Sequence, residues 1–70
     1  MEQVEINTEY IKLDQFLKWS GACDNGVTAK SFILDGLVRV NGSIELQRGK
    51  KLRNGDIIEF ENMTYEVVQK

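Results

Sequence analysis

Eight basic side chains fall between residues 12 and 53: Lys12, Lys18, Lys30, Arg39, Arg48, Lys50, Lys51 and Arg53. Against them stand Asp14, Asp24, Asp35 and Glu45, so this stretch nets +4. Ammonium and guanidinium groups at such density are suited to phosphate oxygens. Four of them, Arg48, Lys50, Lys51 and Arg53, lie within six residues. The flanks are acidic. Residues 1 to 11 hold Glu2, Glu5 and Glu9 with no base, and residues 54 to 70 hold Asp56, Glu59, Glu61 and Glu66 against Lys70, so each end nets −3. The whole-chain charge of −2 therefore hides a segregation in which one region offers positive potential and acidic ends oppose indiscriminate adhesion. The bland alternative is a solvated surface whose charges happen to cluster.

Other chemistry is missing. The chain has no histidine, so no Ser-His triad, Cys-His pair or histidine metal ligand can be built from it. The one cysteine, Cys23, cannot make a zinc site alone, and its neighbour Asp24 opposes thiolate formation, so it reads as a small half-buried spacer in a loop. Glu59 and Glu61 sit at strand period, which points to a solvated acidic face rather than an acid–base dyad. The glycines occur singly and form neither a GxGxxG nor a P-loop. No catalytic residue, metal ligand or cofactor is assigned, and enzyme activity is not expected.

Seventy residues, 41% apolar and 29% charged with six glycines and no proline, suit one compact domain over residues 1–70. So short a chain leaves little core to wall off a deep cavity, which places function on a surface. A lone thiol suits a reducing compartment, and the cytoplasm is the expected location. The longest apolar run, Phe32-Ile33-Leu34, is far below a membrane span, and Met1-Glu2-Gln3-Val4-Glu5 lacks a basic region followed by an apolar one. Neither insertion nor export is expected.

The periodicity supplies the elements that must position the bases. Val4 and Ile6 alternate with polar residues as a short edge strand. Leu13, Phe16 and Leu17, with Ser20 a turn on, form one face of a two-turn helix ended by Gly21, while Asp14 and Lys18 lie on its other side and Trp19 about 60° off the stripe. Asn25 caps a second helix from about Val27 to Asp35, terminated by Gly36; Ala29, Phe32 and Ile33 share its apolar face and Lys30 is rotated away. Val38 and Val40, an Asn41-Gly42 turn of type I′, then Ile44 and Leu46 read as a hairpin with Arg39 facing away from its apolar side. Gln47 to Asn54 reads as a basic loop around Leu52, and Asn54-Gly55-Asp56 as a turn. Ile57 to Phe60 and Tyr65 to Val68 are two strands joined near Glu61-Asn62-Met63, with Glu59, Glu61 and Glu66 on a wet, acidic side.

From Lys12 to Phe60 this order resembles the S-four-type RNA-binding domain, named after the fourth small-subunit ribosomal protein. That family's opening Arg-Leu-Asp and following Leu are met by Lys12-Leu13-Asp14 and Leu17, and its helix-ending glycine by Gly21. Its second-helix signature is met by Asn25, Ala29, Lys30, Ile33 and Gly36, and its hairpin signature by Gly36-Leu37-Val38-Arg39-Val40-Asn41-Gly42. A late Gly-Asp pair before a strand is met by Gly55-Asp56. The leading Arg is Lys12, which keeps the charge but loses bidentate geometry, and Gly26 stands where a base usually follows the second-helix cap. In length the chain is most similar to the small stand-alone bacterial members.

The resemblance implies an α+β fold, two short helices packed on a small, mostly antiparallel β-sheet with the αL motif. It also implies a basic helix-helix-hairpin surface that docks on structured RNA, ribosomal RNA or tRNA, in ribosome assembly or translation. Lys12, Lys30 and Arg39 are the expected phosphate contacts, the loop bases Arg48, Lys50, Lys51 and Arg53 extend them, and Asn41 or Ser43 donates to backbone or a 2′-hydroxyl. A monomer is expected, with ribosomal proteins as further partners. The rival expectation is a protein-interaction module using Glu59, Glu61 and Glu66 against a basic partner. A DNA reader is disfavoured because no second helix ends in side chains arranged for a major groove.

Overall fold

The computed structural model describes all 70 residues. In chain order the elements are β1 (Glu2–Ile6), β2 (Ile11–Lys12), α1 (Leu13–Trp19), α2 (Gly26–Leu34), β3 (Arg39–Val40), β4 (Ser43–Ile44), β5 (Lys51–Leu52), β6 (Ile57–Phe60) and β7 (Met63–Gln69). Five strands form one sheet in the order β1-β7-β6-β3-β4, and β2 pairs with β5 in a separate two-stranded ribbon. All pairings are antiparallel except β1 with β7. The α+β architecture expected from the sequence is the one observed.

Alternation along the strands decides which sheet face is covered. Val4, Ile6, Val40, Ile58, Phe60, Tyr65 and Val67 are buried, and they join Leu13, Phe16 and Leu17 of α1 and Ala29 and Ile33 of α2 in one core. Phe16 meets Tyr65 edge-on at 6.1 Å between ring centroids, and Phe32 packs on Phe60 at 4.9 Å. Both helices therefore lie on one face. The other face carries Arg39, Glu59, Thr64 and Glu66, neighbours across successive strands or along one strand.

Local chemistry sets the element ends. The Asn25 side chain accepts from the Thr28 N–H at 2.9 Å and caps α2. Gly36, just past the Asp35 cap, takes a φ of 76° that a side chain would strain, and the chain leaves the helix there. Asn41 and Gly42 both have positive φ, as a type I′ turn requires.

Three expectations need correction. Ile44 and Leu46 are not part of the core, being 54% and 55% exposed. A two-residue turn pairs Val40 with Ser43 and Arg39 with Ile44, so Ile44 shares the face of Arg39 instead of opposing it. Glu61 is not a strand residue beside Glu59: β6 ends at Phe60, and Glu61 and Asn62, at φ 53° and 65°, make the turn into β7. The stretch from Gln47 to Asn54 is not loop throughout. Lys51 and Leu52 bridge to Ile11 and Lys12, and Leu52 is fully buried.

Candidate functional site

The β2–β5 ribbon brings distant bases together. Ile11 pairs with Leu52, whose side chain enters the core, and by alternation Lys12 pairs with Lys51 on the solvent side. Two like charges directly opposite one another destabilise a ribbon. Lys12 is also the residue at the N-cap of α1, where it makes no side-chain cap hydrogen bond and where the helix dipole disfavours a cation.

The backbone of the basic loop closes over the start of that helix. The Leu13 N–H donates to the Lys50 carbonyl at 2.9 Å and the Asp14 N–H to the Arg48 carbonyl at 3.1 Å. These bonds satisfy two of the donors that a helix leaves unpaired at its beginning. They also fix Arg48 and Lys50 beside Lys12.

Tyr10, one residue before the ribbon, lies beside Lys51 and one further cation, Arg53. Lys51 Nζ lies 4.9 Å from its ring centroid and the Arg53 guanidinium carbon 5.7 Å away. The turn after Arg53 is held by Asp56, whose carboxylate accepts from the Arg53 N–H at 2.8 Å while the Asp56 N–H donates back to the Arg53 carbonyl at 3.0 Å. The backbone thus brings Lys12, Arg48, Lys50 and Lys51 to the start of α1, with Arg53 beside Tyr10.

The remaining expected contacts lie elsewhere. Lys30 is exposed on α2, one position past the fully buried Ala29. Arg39 stands on the helix-free sheet face directly across from Glu59, with its guanidinium 3.4 Å from the Gly42 carbonyl. Asn41 is committed within the fold: its amide donates to Asp56 at 3.1 Å and its carbonyl oxygen accepts from the Ile57 N–H at 2.9 Å. Ser43 is exposed at the start of β4.

Sequence reasoning gave Tyr10 no role. The available signal was an aromatic ring adjoining an apolar-basic pair, Ile11-Lys12, ahead of a helix. Cys23 is buried, beyond the half-buried placement expected of it, and burial pushes its thiol pKa up, with Glu61 and then Asp24 adding to the rise. Such a thiol is a poor nucleophile.

Comparison with known proteins agrees with this fold. The family model described as the S4 domain matches residues 4–68. A curated protein of Bacillus subtilis (strain 168), the probable ribosome maturation protein RlbA, is 39% identical over 66 residues that cover 93% of each chain. The solution structure of E. coli YbcJ, which reveals an αL motif involved in RNA binding, superposes with a TM-score of 0.74 at 28% identity. It covers 97% of this chain and 87% of YbcJ. The ribosomal protein S4e of Thermoplasma acidophilum shares the fold, with a TM-score of 0.65 at 22% identity over 86% of this chain and 32% of that one. With 65 of its 70 residues inside the matched model, this chain belongs to the S4 domain family.

Proposed function

We propose that the protein binds structured RNA, ribosomal RNA first, through the cation cluster at the start of α1, and that it serves ribosome maturation by binding rather than by catalysis. The observation that carries this is the Lys12–Lys51 pair. The sequence places two like charges opposite each other and one of them at a helix N-cap, both at a cost in stability, and a phosphate seated between them removes that cost. Lys50, Arg48 and Arg53 extend the contact along the backbone of the RNA, and Lys30 meets it from α2. Shape and phosphate spacing are read more than base edges, as suits a surface of mobile lysines against helical RNA.

Family membership supports this function, and so does the name of the B. subtilis relative. The acidic-strand alternative is weaker. Arg39 sits within that face opposite Glu59, Gln3 covers the Glu66 carboxylate at 3.2 Å, and Glu61 is turned into the β6–β7 turn. No helix is long and apolar enough to cross a membrane, and the proposed place of action is the cytoplasm, where ribosomal RNA is found.

The test is recovery of tagged protein from cells with and without ribonuclease, followed by mobility-shift titration with fragments of ribosomal RNA. Partners that depart on digestion, and binding that weakens steeply with salt, support RNA. Partners that persist after digestion, with no shifted RNA at low salt, overturn it.

A further inference from the structure

Trp19 takes no part in the cluster described above, yet its indole is 65% exposed. The ring is not loose. Its N–H donates to the Glu5 carbonyl at 2.9 Å, which ties one edge to β1 and leaves most of the ring surface open. An open groove of about 470 Å³ runs beside it, lined by Ile6, Tyr10, Ile11, Lys12 and Gln15 among others. A second depression shares Ile11, Gln15 and Trp19 with the first and adds Lys18, so the hollow continues along α1. A further depression is lined by Trp19 together with Glu5 and Lys70.

The helix repeat explains this alignment. Gln15 and Trp19, four residues apart, stack on one exposed stripe of α1, and Lys12, the N-cap residue, stands just ahead of its N-terminal end. From Lys12 to Trp19 the chain covers about 10 Å along the axis, a span that one nucleotide and an extended lysine side chain bridge together. Lys12 belongs both to the groove and to the cation cluster.

We propose that this groove accepts one unpaired nucleobase of the bound RNA, stacked on the Trp19 indole, while its phosphate rests at Lys12. The inference rests on the RNA-binding function proposed above and adds a subsite to it. Charge complementarity selects this occupant. Lys12 and Lys18 line the hollows along α1 beside the indole, whereas Glu9 offsets Lys12 within the main groove and Glu5 accompanies Lys70 in the neighbouring depression, so cations stand at the edge while the groove itself carries no net charge. A neutral, flat, polar-edged group fits what is left: an aromatic face for stacking, with the amides of Asn7 and Gln15 at hand for base edges. An apolar peptide side chain uses the indole but neither the amides nor the lysines.

Trp19 is the chain's one tryptophan, so its fluorescence reports the groove directly in the unaltered protein. The probes are a short RNA hairpin with one unpaired adenosine, the same hairpin fully paired, and a short aliphatic peptide. Quenching of Trp19 that saturates with the bulged hairpin and is much smaller with the paired one is the expected result. Trp19→Ala should weaken binding of the bulged hairpin about 10-fold, leave the paired hairpin within about 2-fold, and keep the salt dependence of both; Trp19→Phe should recover most of the loss. Equal effects on both hairpins, or bound RNA that leaves the emission unchanged, overturn the subsite alone. Quenching by the peptide and not by RNA overturns it in favour of a protein ligand, and failure of both hairpins to bind at low salt overturns the subsite together with the RNA-binding function.

Discussion

The Asn41 amide donates to the Asp56 carboxylate at 3.1 Å, joining the tip of the β3–β4 hairpin to the turn that opens β6. The same side chain accepts from the Ile57 N–H at 2.9 Å, and the Asn41 N–H donates to the Ile57 carbonyl at 2.7 Å. Asp56 in turn fixes the Arg53 N–H, so this lock reaches the basic turn. Asn41-Gly42 and Gly55-Asp56 are thus two halves of one structural device, and Asn41 also tolerates its φ of 51° better than most residues.

Asn41→Ala is expected to cost about 2 kcal/mol, from two lost hydrogen bonds and a strained φ. Asn41→Gly should cost about half of that, because glycine relieves the backbone strain while the bonds remain absent. Urea midpoints give both values. An unchanged midpoint with weaker RNA binding would instead make Asn41 an RNA contact.

Lys12→Glu separates stability from function. Glutamate there pairs with Lys51 across the ribbon and suits the start of a helix, so the protein should gain a few tenths of a kcal/mol. RNA affinity should fall severalfold at the same time. Thermal melts and shift titrations at matched salt read the two effects, and a variant that loses both together contradicts a cation kept there for binding.

Phosphate contact by about four side chains predicts that log affinity falls with log salt at a slope of about −3 to −4. Lys50→Glu with Lys51→Glu should abolish most binding and flatten that slope. Arg39→Ala should change affinity much less, since Arg39 stands on the helix-free sheet face with its guanidinium near the Gly42 carbonyl, away from the start of α1. Equal losses from Arg39→Ala and from the double variant would place the RNA across the sheet rather than at the helix start.

Alkaline pH should weaken this fold. Burial raises the pKa of Cys23 above its ordinary 9.0 and of Tyr65 above its ordinary 10.0, with nearby carboxylates adding to both. Each group binds its proton more tightly folded than unfolded, so its share of stability is intact below the ordinary value and is lost as pH rises through it toward the folded pKa. The urea midpoint should be flat near neutrality and decline from about pH 8 to 9 upward. Cys23→Ala should delay the onset of the decline, leaving the later part that belongs to Tyr65; a decline identical in both proteins would exclude the thiol as a source.

Much was legible in the linear chain because the signals are local. Helix faces follow from Leu13, Phe16 and Leu17 and from Ala29 and Ile33, and their limits from Asn25, Gly21 and Gly36, since caps and periodicity act within a few residues. The hairpin at Asn41-Gly42 is legible for the same reason. The Lys12–Lys51 pair is not, because a two-residue bridge between segments about forty positions apart leaves no period in either one. Nor is the place of Arg39: alternation alone puts it outside the core, but only the pairing with β6 sets it against Glu59. Sequence by itself therefore determined the elements, the core and the supply of bases. Tertiary structure decided which bases meet, because long-range register is a property of the packed chain and not of any window within it.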